Sequence, residues 1–263
     1  YRNYLGYGPT TAPLSGLSSM TGYEGGPPQE VGISLGDPAA GIATAYLLIA
    51  ALIARRRTGE GQFIDTSLWE ATASSTAEGW TQKILTGNQP EPCGNRDPIM
   101  APHNLYRCKG DDDWVAITCA NDEEWRDLAD LLGINDDKFS TQQSRKAFED
   151  ELDVLIGDWT LTKDQWEVTR LLQGHGIAAI PSLDAHSLET DPHLNDRDFI
   201  ERLEHPVVGK MAHTGIPWLA SNSPNGVRTP APTLGQHADG VLSSLLGLNK
   251  DDIEALRKGG ILG

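Results

Sequence analysis

The sequence predicts a soluble, globular α/β protein with a sizeable core. Its 263 residues are enough for one large domain or two modest ones. A long apolar run with sharp helix signals lies between Gly36 and Ala71, and helix-type and strand-type patterns alternate over much of the remaining chain. No repeat of fixed period and no low-complexity tract interrupts this organisation.

Composition and charge argue against several classes of function. With 21 Lys+Arg and 37 Asp+Glu, the formal net charge is −16 at pH 7, which disfavours a nucleic-acid backbone as partner. The three cysteines form no CxxC pair, in a chain too large to need disulfide bonds. We therefore predict a cytoplasmic location, and neither nucleic acid nor a membrane among the partners.

The chain from Tyr1 to Gly36 is too rich in glycine and proline for long helices, and only Ala12 to Met20 suits a short one. The first residue is tyrosine and not methionine. We therefore expect either a processed chain or one whose beginning is absent from this sequence.

The segment GDPAAGIATAYLLIAALIARRRTGEGQ predicts one long helix around which the rest of the chain is organised. Asp37 is the expected N-cap, Pro38 occupies the first helical position and Gly59 supplies the left-handed end. Ala39 to Ala54 is apolar on almost every face, which predicts a buried helix. A membrane span is the alternative, and the run is shorter than the roughly 18 to 20 residues that a bilayer needs.

Further elements follow this helix. Phe63 to Leu68 indicates a partly buried strand, and Leu68 to Leu85 a second helix that ends near Gly87. At Asn88 a Pro-rich loop begins, NQPEPCGNRDPIMAPHN, of the kind that joins domains or lines a site. The segments on either side of the charged turn Gly110 to Asp113 predict a β-hairpin.

The rest of the chain alternates helices with short strands. Helix signals span Asn121 to Gly133, Gln142 to Asp158 and Thr162 to Gly174, with Thr162 and Gln165 as a capping box, and two short helices lie on either side of Gly247. Strand signals lie at Ile177 to Ile180 and around the turns at His205-Pro206 and Gly209.

Motifs that name a reaction are absent from the sequence. The seven histidines lack HxxxH and HExxH spacing, so we predict no metal site. Asp111, Asp112 and Asp113 lack the ordered ligand series of an EF-hand, and a solvated turn explains them better. No GxGxxG, GxxxxGK[ST] or GxSxG is present. Among single histidines, His103 ranks highest because it lies in the Pro-rich loop.

Six segments, in their order and spacing, carry a resemblance to a known family. They are SGLSSMTG (Ser15 to Gly22), GDPAAG with its helix and RRRTGEGQFIDTSLWEA, GNR (Gly94 to Arg96) with YRCKGDDDWVAI, GIAAIPS, HPVVG, and PAPTLGQHADGVLSSLLG. Together they resemble the class III coenzyme A transferases of the CaiB/BaiF type. That family includes formyl-CoA and carnitine CoA-transferases and is related to the α-methylacyl-CoA racemases.

The resemblance implies a fold and a set of partners. We expect a Rossmann-like large domain, whose N-terminal part precedes Tyr1, a smaller α+β domain and an interlaced dimer. Residues 1–88 would form a large-domain segment with the central helix, residues 89–198 the small domain, and residues 199–263 the return to the large domain. The implied substrates are an acyl-CoA, which is no resident cofactor, and a free carboxylic acid. The implied assembly is a homodimer or a heteromer with a homologous chain.

The resemblance also locates the site. The family uses an aspartate that attacks the thioester and forms an anhydride, then an enzyme-bound CoA thioester. That aspartate follows a Gly-Tyr pair and precedes the SGL motif by a fixed spacing; here the position is Gly8. The expected nucleophile is therefore missing, and Asp37 is the nearest candidate carboxylate, although an N-cap role already explains it. We predict that four loop residues border the substrate: Gly94, Asn95, Arg96 and His103.

Three functions stay open on this basis. The chain is a CoA-transferase with another attacking group, a catalytically silent subunit whose partner carries the aspartate, or a racemase relative. Gly8 also counts against the racemase, since those proteins carry an aspartate at the same place. The loop after Asn95 is stiffened by Pro98 and Pro102. It is suited to shaping an acyl pocket with Ile99, Met100 and His103, and an ordered interdomain linker is the alternative.

Overall fold

Helices and small antiparallel sheets build the chain in a computed structural model, which describes residues 3–262. They divide into two units, one that extends to Ser182 and one that begins at Leu183. The mixture of helix and strand is as predicted. Every strand pair in the described residues is antiparallel, so the Rossmann-like sheet stays a prediction, as do the predicted boundaries at 88/89 and 198/199.

The first third of the chain is helical. Its helices are α1 (Gly8–Leu14), α2 (Gly36–Thr58), α3 (Leu68–Ser74) and α4 (Ala77–Thr86), with a 3₁₀ turn at Leu17–Met20. Small residues allow α1, α2 and α3 to approach closely. A Cβ on Gly36 would lie 2.7 Å from Thr72 Oγ1 and 2.9 Å from Thr11 Oγ1. These contacts leave no room for a side chain on Gly36.

Helix α2 is as long as predicted, but its burial was predicted wrongly. Gly36 and Ala40 are its buried residues, whereas Ile42 and Tyr46 are 73% and 72% exposed. The physical reason is that α1 and α3 cover only the first turns of the helix, and its remaining apolar surface has no comparable cover within residues 3–262.

The length argument against a membrane span is wrong for α2 as a whole. The helix has 23 residues and a mean hydropathy of 1.7 in its most apolar window, so length and composition alone would let it cross a bilayer. It exceeds the apolar run because Gly36–Pro38 and the three arginines before Gly59 are also helical. A single helix of this kind is weak evidence, because core helices share these properties.

Three other predictions for this region need correction. The N-cap of α2 is Leu35, and Asp37 lies within the first turn because the helix begins two residues earlier than predicted. Phe63 to Leu68 is not a strand; Phe63 is 91% exposed, and no strand of the described chain pairs with this segment. The predicted helix over 68–85 is interrupted at 75–76, between α3 and α4. The left-handed ends at Gly59 and Gly87 are confirmed.

The main core lies in the later part of the first unit. Strands β1 (His103–Arg107), β2 (Trp114–Thr118) and β3 (Ala178–Pro181) form a sheet in that order, which confirms the hairpin and the third strand. Helices α5 (Asp122–Leu132), α6 (Gln142–Ala147), α7 (Glu149–Thr160) and α8 (Gln165–Gly174) accompany the sheet. Val115, Ile117, Leu128, Leu152 and Leu172 are fully buried in this core.

The helix ends in this region agree partly with the sequence. The Asn121 side chain caps α5 as predicted, because it accepts hydrogen bonds from the N–H groups of Glu123 and Glu124. The predicted helix over 142–158 is interrupted at Phe148, which separates α6 from α7. The capping box at Thr162 is wrong, because the Asp164 carboxylate accepts from the N–H groups of Trp166 and Glu167 and is the actual N-cap of α8.

The second unit is built from short elements. They are α9 (Ala185–Thr190), α10 (Pro192–Asp196), β4 (Ile200–His205), β5 (Gly209–Thr214), α11 (Ala238–Leu246) and α12 (Lys250–Lys258). Strands β4 and β5 pair antiparallel around the predicted turn, and Gly247 divides the two last helices as expected. Glu201 accepts the Val227 N–H on both carboxylate oxygens, at 2.7 and 2.9 Å, and so ties the extended segment to the strand pair.

Candidate functional site

The Pro-rich loop is a folded segment in which the predicted site residues meet. Asp97 Oδ1 accepts the N–H groups of Ile99 and Met100, each at 2.8 Å, and this closes a tight turn. His103 Nδ1 lies 2.7 Å from the carbonyl oxygen of Asn95, so the start of β1 returns to the GNR segment. Two of the four predicted residues are thus in direct contact.

Gly94 joins this loop to the segment that follows the SGL motif. Its N–H donates to Gly22 O at 2.8 Å. Its φ of +65° is in the left-handed region, and a Cβ would lie 3.1 Å from the Tyr23 ring. A glycine is needed here for both reasons. Two motifs that are 72 positions apart in sequence (94 − 22) therefore meet at this contact.

Arg96 points toward the start of α7. Its Nη2 lies 2.6 Å from Asp150 Oδ1 and 2.8 Å from Asp153 Oδ2, and its Nε lies 3.7 Å from Glu149 Oε2. Burial works to lower the pKa of Arg96, but the hydrogen bonds to Asp153 and Asp150 outweigh it and the pKa is raised. The cation that sequence reasoning placed at the substrate is engaged by three carboxylates of its own chain.

Asp153 is the centre of this network. Its Oδ1 accepts from the Tyr106 hydroxyl at 2.7 Å, and its Oδ2 accepts from Arg96 and from Asn104 Nδ2 at 3.0 Å. Burial and the adjacent Asp153 carboxylate raise the pKa of Tyr106, so this hydroxyl is a stable donor. Sequence reasoning missed Asp153 because nothing in the pattern of α7 distinguishes it from a solvated carboxylate.

A second cation fastens the same loop. Lys146 Nζ donates to Asp97 O at 2.7 Å and to Glu149 Oε2 at 2.6 Å. Burial tends to raise the pKa of Asp97, but the N–H groups of Met100 and Ile99, followed by the charges of His103 and Lys146, lower it. The loop therefore carries an ionised carboxylate at neutral pH. No group of three His, Cys, Asp or Glu side chains in residues 3–262 is arranged to hold a metal ion.

The region around Gly8 shows which groups occupy the space of the expected attacking side chain. Gly8 is buried at the start of α1, and a Cβ there would lie within 3.0 Å of Ser34 Cβ and Oγ. The same Cβ would lie 2.5 Å from Asp37 Oδ2. The volume that a side chain at position 8 would need is therefore filled by Ser34 and by a carboxylate oxygen of Asp37.

The Asp37 carboxylate does not have the capping role predicted for it. Its side chain does not cap α2, and it is exposed. Among the described residues it accepts no hydrogen bond and forms no ion pair. An acidic group in a first turn interacts favourably with the helix dipole.

Comparison with known proteins places these features in a family. The sequence model of CoA-transferase family III matches residues 1–238. The succinyl-CoA--D-citramalate CoA-transferase of Chloroflexus aurantiacus is 33% identical over 98% of this chain and 65% of its own length. The succinate--glutarate CoA-transferase of Agrobacterium fabrum is 29% identical over 93% of this chain and 62% of its own. The formyl-CoA:oxalate CoA-transferase of Streptomyces avermitilis is 27% identical over 100% of this chain and 68% of its own length.

Solved structures agree with this assignment. A CaiB/BaiF family protein from Brucella suis superposes with a TM-score of 0.84 at 25% identity, over 93% of this chain and 64% of that chain. Rv3272 from Mycobacterium tuberculosis gives a TM-score of 0.71 at 20% identity, over 89% of this chain and 62% of that chain. At this identity the likeness supports the fold alone. The chain spans about two thirds of the length of these relatives.

Proposed function

Since the chain belongs to CoA-transferase family III, we propose that the protein moves coenzyme A between an acyl-CoA and a free carboxylic acid. The relatives described above are named for CoA transfers that involve succinyl-CoA, succinate, citramalate, glutarate, formyl-CoA and oxalate. Most of these acids are short and carry two carboxylates, so a short dicarboxylic acid is the proposed substrate class. The CoA thioester is a substrate, and the proposal includes no resident cofactor.

Asp37 supplies the attacking carboxylate in this proposal. The observation that carries it is the 2.5 Å between Asp37 Oδ2 and the position that a Cβ on Gly8 would take. A carboxylate from the start of α2 thus reaches the place where the family's aspartate side chain would begin. Because Leu35 is the N-cap of α2, capping does not account for the Asp37 carboxylate, and the interaction with the helix dipole is the structural role that remains.

The chemistry needs no proton donor and no redox partner. A carboxylate oxygen of Asp37 bonds to the thioester carbonyl carbon, the C–S bond breaks, and CoA leaves as a thiolate. The thiolate then attacks the Asp37 carbonyl of the mixed anhydride, which releases the first acid and leaves CoA on Asp37 as a thioester. The acceptor carboxylate attacks the carbonyl carbon of this thioester, the C–S bond breaks, and a second mixed anhydride joins the acceptor to Asp37. The CoA thiolate then attacks the acceptor's carbonyl carbon, which forms the new acyl-CoA and releases the Asp37 carboxylate. Both acids leave and enter as carboxylates, so charge balances.

The loop from Gly94 to His103 borders the acyl group in this proposal. Support comes from the contacts that bring Asn95 and His103 together and fix Gly94 to Gly22. Ile99 is 69% exposed at the turn and offers an apolar surface to an acyl chain. Arg96 borders the site through its loop and does not serve as a phosphate ligand, because its guanidinium is held by carboxylates.

A silent subunit is the second candidate, and Gly8 is the observation that favours it. The position that should carry the nucleophile has no side chain and no space for one. In that case a homologous partner chain would supply the aspartate, and this chain would contribute fold and CoA affinity. The racemase alternative gains no support, because it requires a carboxylate at the same position.

Trapping the enzyme-bound thioester tests these alternatives. The full-length protein is incubated with succinyl-CoA, treated with hydroxylamine and mapped by mass spectrometry, beside Asp37→Asn. Asp251→Asn is the matched control, since Asp251 also lies exposed in the first turn of a helix. Because hydroxylamine displaces CoA from a thioester, we expect a hydroxamate adduct on Asp37. Transfer should fall more than about a hundredfold in Asp37→Asn and stay unchanged in the control. Equal labelling of the wild-type protein and Asp37→Asn would refute the proposal that Asp37 is the attacking residue. No adduct, with activity regained on adding a homologous chain, would identify the silent subunit.

Assembly and location complete the proposal. Two chains form an interlaced dimer, either two copies or one copy with a homologous chain, each with a Rossmann-like large domain. The exposed apolar residues of α2, among them Ile42, Tyr46 and Ile49, support this because a protein partner would cover them. The proposed location is the cytoplasm. Light scattering coupled to size exclusion, without detergent, should give the mass of two chains.

A further inference from the structure

The loop of residues 93–103 is fastened along its length to α6 and α7. Three side chains of α6 each donate to a different backbone carbonyl of the loop. They are Lys146 Nζ to Asp97 O at 2.7 Å, Arg145 Nε to Ala101 O at 2.7 Å, and Gln142 Nε2 to Ile99 O at 3.3 Å. A loop whose carbonyl groups at positions 97, 99 and 101 are all bound to one helix has little freedom to change shape there.

Arg96 adds the connection to α7, and its two closest partners differ sharply in environment. Asp150 is 92% exposed, so its attraction to the guanidinium is screened and contributes little. Asp153 is 15% exposed and also binds Asn104 and Tyr106, both on β1. Asp153 therefore joins the loop, the strand and the helix through one carboxylate, where screening is weak.

This network holds an apolar side chain outside the core. Ile99 lies at the turn between the Arg96 and Arg145 contacts and stays 69% exposed, although burial of isoleucine is favourable. Core packing therefore does not explain why the turn has this shape. A ligand group that contacts Ile99 would find its surface already in place.

We infer that Arg96 and Asp153 are positioning residues, which hold the turn Asp97–Met100 in a single conformation so that Ile99 is preorganised against the acyl group of the substrate. The identity of the ligand rests on the proposed function; the fastening of the loop does not. The acyl pocket is accordingly rigid on this side, and acyl groups too bulky to fit beside Ile99 are rejected by shape.

The experiment compares Arg96→Gln and Asp153→Asn with wild type in the full-length protein, and Asp150→Asn is the matched control on the same guanidinium. Hydrogen exchange of the Ile99 and Met100 amides reports on the loop without any substrate. Steady-state transfer from succinyl-CoA gives KM and kcat separately. Arg96→Lys is the conservative variant, which keeps the charge but loses the planar guanidinium.

We expect exchange at Ile99 and Met100 to accelerate about tenfold or more in Arg96→Gln and Asp153→Asn. In the same variants kcat/KM should fall roughly ten- to a hundredfold, mainly through KM for the acyl-CoA, with native circular dichroism. Arg96→Lys should be intermediate, and Asp150→Asn should match wild type within about twofold.

Two results would overturn this inference and leave the proposed function intact. One is native exchange in Arg96→Gln and Asp153→Asn, and the other is faster exchange with unchanged kcat/KM. A wild-type protein that transfers CoA from no acyl-CoA would instead overturn the proposed function, and with it the assignment of the turn to an acyl group. Should Arg96→Gln fail to fold, Arg96→Lys and Asp153→Asn decide the question by the same readouts.

Discussion

Replacing Gly8 with alanine is expected to destabilise the protein, although alanine is the better residue for a helix. In α1 the exchange alone would contribute about 0.5–1 kcal/mol of stability. The new Cβ would lie 2.5 Å from Asp37 Oδ2 and within 3.0 Å of Ser34 Cβ and Oγ, closer than side chains pack. Forcing one methyl into such a site costs about 1–3 kcal/mol. The difference between these two effects is a net loss of up to about 2.5 kcal/mol.

Urea unfolding followed by circular dichroism measures this difference. The matched control is Gly157→Ala, because Gly157 lies within helix α7 and a Cβ there would have no atom within 4 Å. The control should gain about 0.5–1 kcal/mol. Adding Ser34→Gly to Gly8→Ala removes the Cβ and Oγ that clash and should recover most of the loss. Equal stability of Gly8→Ala and Gly157→Ala would refute the packing argument. The same clash predicts that Gly8→Asp, which would place the family's aspartate at this position, brings no activity. Equal stability would remove the physical ground for that prediction as well.

Three further predictions concern the first unit. Arg145→Leu should destabilise by about 3 kcal/mol in urea unfolding, because a fully buried guanidinium donates to two buried backbone carbonyls that leucine cannot serve. Iodoacetamide should modify Cys93 alone in the native protein and all three cysteines in urea. Cys93 is exposed, whereas burial raises the pKa of the Cys108 thiol to about 11 and that of the Cys119 thiol to about 12. Because the pKa of Asp97 is lowered, the amides of its loop should stay protected from hydrogen exchange as the pH falls below about 3.9, the ordinary aspartate pKa. The protection should be lost when the pH falls through the lowered pKa. Asp97→Asn should abolish this pH dependence.

Local signals in the sequence predicted the elements that are stabilised locally. Asn121 at the start of α5, Gly87 at the end of α4 and the hairpin around Gly110 to Asp113 each depend on neighbours within a few residues, and each is confirmed. The strand at Phe63 is different, because a strand requires a partner and its alternating pattern cannot show whether one is present. The break at Phe148 was likewise invisible, since residues on both sides of it favour helix.

The candidate site was predictable only in part for the same reason. The loop's composition identified Gly94, Asn95, Arg96 and His103, and the structure brings Asn95 and His103 into contact. The role of Arg96 depends on Asp153, which lies 57 residues further along the chain. The proximity of Asp37 to Gly8 also depends on how α1 packs on α2, which no local pattern encodes.

The length of α2 that other helices leave uncovered indicates whether its apolar surface is covered by another protein chain or by a lipid bilayer. Gly36 and Ala40 are buried at a junction with α1 and α3, where the hydroxyls of Thr11 and Thr72 lie close to Gly36, so one side of the first turns is already covered by protein. From Gly41 to Ala54 there remain 14 residues (54 − 40) before the arginines. At about 1.5 Å per residue they span about 21 Å, well short of the roughly 30 Å of a hydrocarbon core. The apolar surface that remains therefore suits another polypeptide surface better than a membrane, which agrees with the proposed dimer. Recovery of the protein in the pellet with membranes, and its release only by detergent, would contradict this reasoning.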